Sequence, residues 1–303
     1  MKKIILLLYI ACSFLTSCYD PNVQESKSLP HAKSRNDESS SAQTEIVVSG
    51  STTMQPILEH VSDYFLAKNQ EYTIVIKGTG SNEGLKAIWN DSSDIAMSSA
   101  QISDTMVARF RKEKMEYAEF LLAGDALVFI VNVNNVVHKL TDENLKKIFR
   151  GETNNWKDVG GEDLPITLYS RDVSSGTYTF FKDLILDKQE PPIDITILKD
   201  NDLIMNSVAK DKGGIGYVSF ANLDYSVEPL GISFDSGKTF VLPRVETVNN
   251  FKYKYFRGLY LYYKPDSYAK IKAFLDTVKT DTVQQIIRQS GYIPLSHRLI
   301  HNQ

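Results

Sequence analysis

Arg171 opens the stretch whose residue types and spacing best suit chemistry. Behind it come Asp172, Val173, Ser174, Ser175, Gly176 and Thr177, then an amphipathic run from Phe180 through Leu184, Ile185 and Leu186. This reads as a polar loop opening a helix, with an arginine and free backbone N–H groups facing one space. The first N–H groups of a helix lack intrahelical partners and carry partial positive charge, so they attract anions. A planar guanidinium adds a fork of donors matched to a tetrahedral oxyanion. A Ser-Ser-Gly-Thr sequence is also an ordinary capped turn, so the stretch alone does not decide between the two.

The same pattern occurs three times earlier. Glu45–Ser49 alternates like a strand and breaks at Gly50-Ser51-Thr52-Thr53, before Ile57, Leu58, Val61 and Phe65 at helical spacing. Tyr72–Ile76 leads into Gly78-Thr79-Gly80-Ser81 and a helical face with Leu85 and Ile88, and Asp94–Met97 ends in Ser98-Ser99-Ala100. Four hydroxyl-rich turns after strands imply strand ends converging on one small anion, the usual ligand position in open α/β sheets.

The elements that would position these turns alternate along the chain. An apolar strand at 126–132, a helix at 141–149 with Thr141 as cap, a strand at 165–169 and a helix at 202–209 come first. A turn and strand at 213–218, a strand at 258–263 and helical segments at 266–278 and 280–290 follow. The tyrosines at 260, 262 and 263 read as packing residues.

The remaining features bound the class of protein. Lys2 and Lys3 precede a short apolar run from Ile4 to Leu15, which reads as a secretory signal over 1–17, too short for a membrane span. Leu15-Thr16-Ser17-Cys18 resembles a bacterial lipobox, so Cys18 is expected to carry a lipid anchor to the membrane, with 18–44 as a polar tether. Removal of the signal also removes Cys12, leaving one cysteine and no internal disulfide. The formal charge is −3, from 34 basic and 37 acidic residues; without Lys2 and Lys3 the balance is 32 against 37, or −5. Such an acidic chain argues against nucleic acid as a partner, and any anion must be held by local dipoles and the arginine. The five histidines, His31, His60, His138, His297 and His301, have no metal-ligand spacing, and no Gly-x-Ser-x-Gly elbow occurs, so neither metal, cofactor nor catalysis is expected.

Taken in order, Gly50-Ser51-Thr52-Thr53-Met54-Gln55-Pro56, Gly78-Thr79-Gly80-Ser81, Asp94-Ile95-Ala96-Met97-Ser98-Ser99, Arg171 with Ser174-Ser175-Gly176-Thr177, and Gly213-Gly214-Ile215-Gly216-Tyr217-Val218 resemble one family over about 45–295. It is the PstS type of phosphate-binding protein, which serves bacterial ABC-type phosphate importers. The resemblance implies an α/β, two-lobed periplasmic-binding-protein fold (type II-like), with ligand in the interlobe cleft. One lobe would be 45–124 plus 251–303 and the other 125–250. It implies capture of inorganic phosphate outside the cytoplasmic membrane, by a monomer that hands the ion to an ABC permease. The contacts would come from Thr52, Thr53, Ser81, Ser99, Arg171, Ser175, Gly176 and Thr177, with Thr53 and Gly176 acting through backbone N–H. Two departures bear on the ligand. Ser99 stands where some relatives carry an aspartate that accepts the phosphate proton, and Ala100 where others carry arginine. The acceptor would then be the Ser99 hydroxyl, a backbone carbonyl, or a carboxylate such as Glu83 or Asp94. Sulfate, molybdate or tungstate as ligand, and a sensing rather than a transport role, stay open at this point.

Overall fold

The computed structural model describes residues 43–192 and 194–295. Cys12, Cys18, His31, His297 and His301, the signal segment and nearly all of the tether lie outside the described residues. The strands are β1 (Thr44–Gly50), β2 (Tyr72–Gly78), β3 (Ile95–Ser98), β4 (Ala118–Asn132), β5 (Lys139–Thr141), β6 (Thr167–Arg171), β7 (Thr196–Leu198), β8 (Gly214–Ser219), β9 (Val227–Pro229), β10 (Gly231–Ser233) and β11 (Phe256–Tyr263). The helices are α1 (Gln55–Leu66), α2 (Ser81–Trp89), α3 (Asp104–Lys112), α4 (Asp142–Phe149), α5 (Gly176–Ile185), α6 (Asn201–Lys210), α7 (Val245–Asn249), α8 (Tyr268–Val278) and α9 (Asp281–Gln289). The α/β class and the two-lobed periplasmic-binding-protein architecture follow the expectation from sequence.

One curled sheet runs in the order β2-β1-β3-β11-β4-β8-β6-β7, with β9 on β4 and a separate β10-β5 pair. Because β2, β1 and β3 are mutually parallel, their C-terminal ends lie along one edge. That shared edge brings the turns after Gly50, Gly78 and Ser98 side by side, although about 50 residues of chain separate them. On the other side β6 is parallel to both β7 and β8, so Arg171 at its C-terminus sits at the corresponding edge of that half.

β4 joins the halves. Its first part, to Ala126, pairs antiparallel with β11, and from Leu127 it pairs with β8. Two apolar cores flank this change of partner. Ile46, Val48, Ile57, Val61, Phe65, Leu122, Leu259, Phe274 and Ile287 pack together on one side. Phe129, Phe149, Trp156, Phe181, Tyr217 and Tyr255 pack on the other. The continuous apolar run Ala126–Val131 is buried on both faces, as a central strand requires.

Several segments unread in the sequence are resolved here, among them α3 and the start of β4. α3 lies in the charged stretch Asp104–Lys112, and β4 begins at Ala118, ahead of Ala123-Gly124-Asp125. Gly124 is therefore within a strand and pairs with Gly258, while its backbone also exchanges two hydrogen bonds with Ile293 at 2.7 and 2.9 Å. Elsewhere the helix signals hold: the Thr141 hydroxyl accepts from the Asn144 N–H at 3.1 Å, opening α4.

Candidate anion-binding site

Tyr217 fixes where Arg171 can go. Its ring stacks on Phe181 of α5 with centroids 4.1 Å apart. Its hydroxyl meets the Ser170 hydroxyl at 2.7 Å and accepts the Arg171 N–H at 3.1 Å. The Gly-Gly-Ile-Gly-Tyr-Val stretch thus serves the site through its tyrosine, which clamps the end of β6. Burial pushes the Tyr217 phenol well above its usual pKa, so it stays a neutral hydrogen-bonding group.

The Arg171 guanidinium is 1 % exposed. Nη2 donates to Thr52 Oγ1 at 2.9 Å and to the Lys199 carbonyl at 2.5 Å. Nε and Nη1 are buried and have no hydrogen-bond partner among the described residues. Desolvation lowers the arginine's pKa, opposed by the nearby Tyr217, Asp172 and Asp200 and aided slightly by a second cation, Arg257. A buried cation with two idle donors is costly unless an anion meets it. Neither neighbouring carboxylate does so: Asp172 Oδ1 accepts from the Ser174 N–H and hydroxyl, and Asp200 Oδ1 caps α6 through the Leu203 N–H at 2.8 Å.

All eight residues singled out in the sequence come together here. The Thr53 and Thr177 hydroxyls meet at 3.0 Å, and the Ser99 N–H donates to Ser81 Oγ at 3.2 Å. Ser175 caps α5 by accepting the Tyr178 N–H at 3.3 Å, which leaves its own proton to donate. The first N–H groups of α5, on Gly176 and Thr177, have no partner within the helix. Gly176 has to be glycine for contact reasons: a Cβ there would lie 2.8 Å from Ser99 Oγ and closer still to Ser81 Oγ. Backbone approach this tight lets loops from both halves surround one small space. The Asn82 N–H donates to the Ser174 carbonyl at 3.0 Å and its amide to the Val173 carbonyl at 2.8 Å, closing one rim.

The carboxylates considered in the sequence do not reach this space. Glu83 is exposed and paired with Lys86 at 2.6 Å. Asp94 lies before β3, at the end away from Ser99, where it accepts the Val47 N–H at 2.8 Å and holds Lys270 at 2.7 Å. Ser99 Oγ itself is buried without a partner among the described residues. His60 and His138 are exposed and away from the cluster.

The structure adds residues that the sequence reading passed over. Arg257 on β11 pairs with Asp125 on β4 through Nε at 3.0 Å and Nη2 at 2.7 Å, and both are almost wholly buried. Its Nη1 reaches the Ser99 carbonyl at 3.2 Å and the Thr177 hydroxyl at 3.0 Å, one on each side of the cleft. Asp125 Oδ1 also accepts from Ser219 at 2.9 Å. Tyr292 donates to the Thr53 carbonyl at 2.6 Å, bracing the first turn. Asn201, first residue of α6, is 4 % exposed and sits 3.5 Å from Thr53 Oγ1 through its amide nitrogen. Lys199-Asp200-Asn201 repeats the strand, polar turn, helix pattern after β7, a signal the sequence did carry.

The arrangement is a closed, polar cradle of hydroxyls, helix-start N–H groups and one idle guanidinium, suited to holding a small tetrahedral oxyanion. Residues 36–281 match the family model for the PBP superfamily domain. The chain is 30 % identical to the phosphate-binding protein PstS of Bacillus subtilis over 300 residues, covering 97 % of this chain and 95 % of that one. It is also 30 % identical to protein SphX of Synechococcus elongatus, covering 85 % and 80 %. A crystal structure of a putative phosphate ABC transporter substrate-binding protein from Clostridium perfringens, with bound phosphate, superposes with a TM-score of 0.75 at 28 % identity, covering 83 % of this chain and all of that one. The chain belongs to the PBP superfamily and, within it, to the PstS family.

Proposed function

We propose that this protein captures inorganic phosphate outside the cytoplasmic membrane and delivers it to an ABC importer, without catalysis. The observation that carries this reading is Arg171, buried with Nε and Nη1 unpartnered among the hydroxyls of Thr52, Thr53, Ser99 and Thr177. Thr52, Thr53, Ser81, Ser99, Arg171, Ser175, Gly176 and Thr177 would be the ligand contacts. Charge-assisted hydrogen bonds contribute roughly 1.5–3 kcal/mol each, so a full set of donors can offset desolvation of the dianion. The donors come from both halves, so the ligand gathers them only when the cleft is closed, and binding favours closure.

We place the outward crossing between lobes at Asp125–Ala126, with 45–124 in the first lobe. Tyr253 and Tyr255 pack on each other and, with Phe234 and Phe129, in the second core, which supports a return crossing a few residues later than 251. Hinge segments at these two crossings would let the lobes part to admit and release the ion.

The test is calorimetric titration of the anion-stripped protein with phosphate and with sulfate between pH 6 and 8. Micromolar or tighter phosphate binding, about −8 kcal/mol or better, with weaker sulfate is expected. Sulfate bound as tightly as phosphate would overturn the phosphate assignment.

We further infer that Cys18 is lipidated and holds the receptor at a membrane. Replacement of Cys18 by serine should move the protein from the membrane fraction to the soluble fraction; unchanged sedimentation with membranes would rule the anchor out.

A further inference from the structure

Phosphate at neutral pH keeps at least one proton and sulfate keeps none, so a receptor that separates them needs an acceptor for that proton inside the site. The carboxylates around this cleft are otherwise engaged. Asp125 is held by Arg257 and Ser219, Asp172 by Ser174, and Asp200 by the start of α6. Glu83 and Asp94 are spent on lysines outside it.

Two buried oxygens of this cluster have no hydrogen-bond partner among the described residues: Ser99 Oγ and Asn201 Oδ1. They are not equivalent. A hydroxyl turns to donate or accept, so Ser99 suits either anion, whereas an amide oxygen only accepts. The Asn201 amide is also oriented: its nitrogen donates to Asn222 Oδ1 at 3.0 Å and lies 3.5 Å from Thr53 Oγ1. Arg171 Nη2 touches both Thr52 and the carbonyl of Lys199, two residues before Asn201. Guanidinium, first turn and the start of α6 thus form one cluster around the same space.

We propose that Asn201 Oδ1 accepts a hydrogen bond from the phosphate hydroxyl and sets the preference for phosphate over sulfate in this chain, in place of a carboxylate. The proposal rests on the phosphate reading above. A neutral carbonyl accepts the P–OH without setting a full negative charge against the dianion. Facing a sulfate oxygen, it leaves lone pair against lone pair and an unmet acceptor, which penalises sulfate.

Phosphate and sulfate titrations of the full-length protein, of Asn201→Leu, of Asn201→Asp and of Ser99→Ala decide the matter, with thermal melts as a check on folding. Asn201→Leu should lose about tenfold or more in phosphate affinity and clearly less in sulfate, so the affinity ratio collapses. Asn201→Asp should restore the ratio or raise it, because a carboxylate also accepts and repels sulfate more strongly. Ser99→Ala should lower both affinities alike. An unchanged ratio in Asn201→Leu, or a ratio that collapses in Ser99→Ala alone, overturns the assignment while phosphate binding by the unaltered protein stands. Failure of the unaltered protein to prefer phosphate would instead sink the functional reading, and the acceptor with it.

Discussion

Arg171→Met should abolish measurable phosphate binding while leaving the ligand-free protein about as stable as before. The substitution removes two donors, Nε and Nη1, that no group among the described residues engages. Charge-assisted bonds of roughly 1.5–3 kcal/mol each give a loss of about 3–6 kcal/mol, or two to four orders of magnitude in affinity. The effect on the ligand-free fold runs the other way. Desolvation lowers the arginine's pKa, so its charge is held at a cost. Methionine fills similar space with no charge to bury, and only the bonds to Thr52 and Lys199 are lost. Calorimetry with phosphate, paired with melting curves with and without ligand, reads both effects. The melting temperature without ligand should stay within a few degrees, and the rise on adding phosphate should vanish. Affinity near that of the unaltered protein would remove Arg171 from the site. A collapse of the ligand-free fold would mean that its charge is compensated in a way the geometry does not reveal.

How much of this was legible beforehand depends on how local each signal is. The four turns could be read because each one carries its own strand, break and helix within some 20 residues, and parallel pairing of β2, β1 and β3 then aligns three of them. Ser175 and Thr141 were readable as caps because a cap acts on an N–H three residues on. Asp125 and Arg257 were not. They meet from strands 132 residues apart, and neither belongs to a pattern in its own stretch. The apolar strand was read only from 126, although β4 runs through Ala123-Gly124-Asp125, because glycine inside a strand pattern weakens the signal. In the structure a Cβ at Gly124 would press on the Phe256 ring at 2.6 Å, so the glycine reflects close packing between β4 and β11 and not a turn. The missing aspartate at position 99 was visible as an absence. What stands in for it could not be found by looking near Ser99 in the sequence, because Asn201 reaches the cluster from α6.

Breaking the pair between Asp125 and Arg257 is expected to have the second large effect, and a double substitution separates its two roles. Both side chains are at most 2 % exposed, and the guanidinium makes four hydrogen bonds. Asp125→Leu strands a buried cation, at a cost of about 3–5 kcal/mol. For a chain of this size that corresponds to a fall of roughly 6–20 °C in melting temperature. Replacing both partners, Asp125→Leu with Arg257→Met, should recover most of that stability, because an apolar pair of similar volume no longer carries an unmatched charge. Phosphate affinity should not recover with it. Arg257 Nη1 is the donor that holds the Ser99 carbonyl on one side of the cleft and the Thr177 hydroxyl on the other, from the point where β11 pairs antiparallel with β4. Without it the Thr177 hydroxyl keeps its bond to Thr53 but loses the one to Arg257, and the link between the Ser99 turn and the start of α5 is lost. The double variant should therefore melt near the unaltered protein yet bind phosphate about tenfold or more weaker, on the scale of one lost charge-assisted bond. Full recovery of affinity would show that the pair serves the fold alone. A single variant as stable as the unaltered protein would show that Arg257 finds water or another partner once Asp125 is gone.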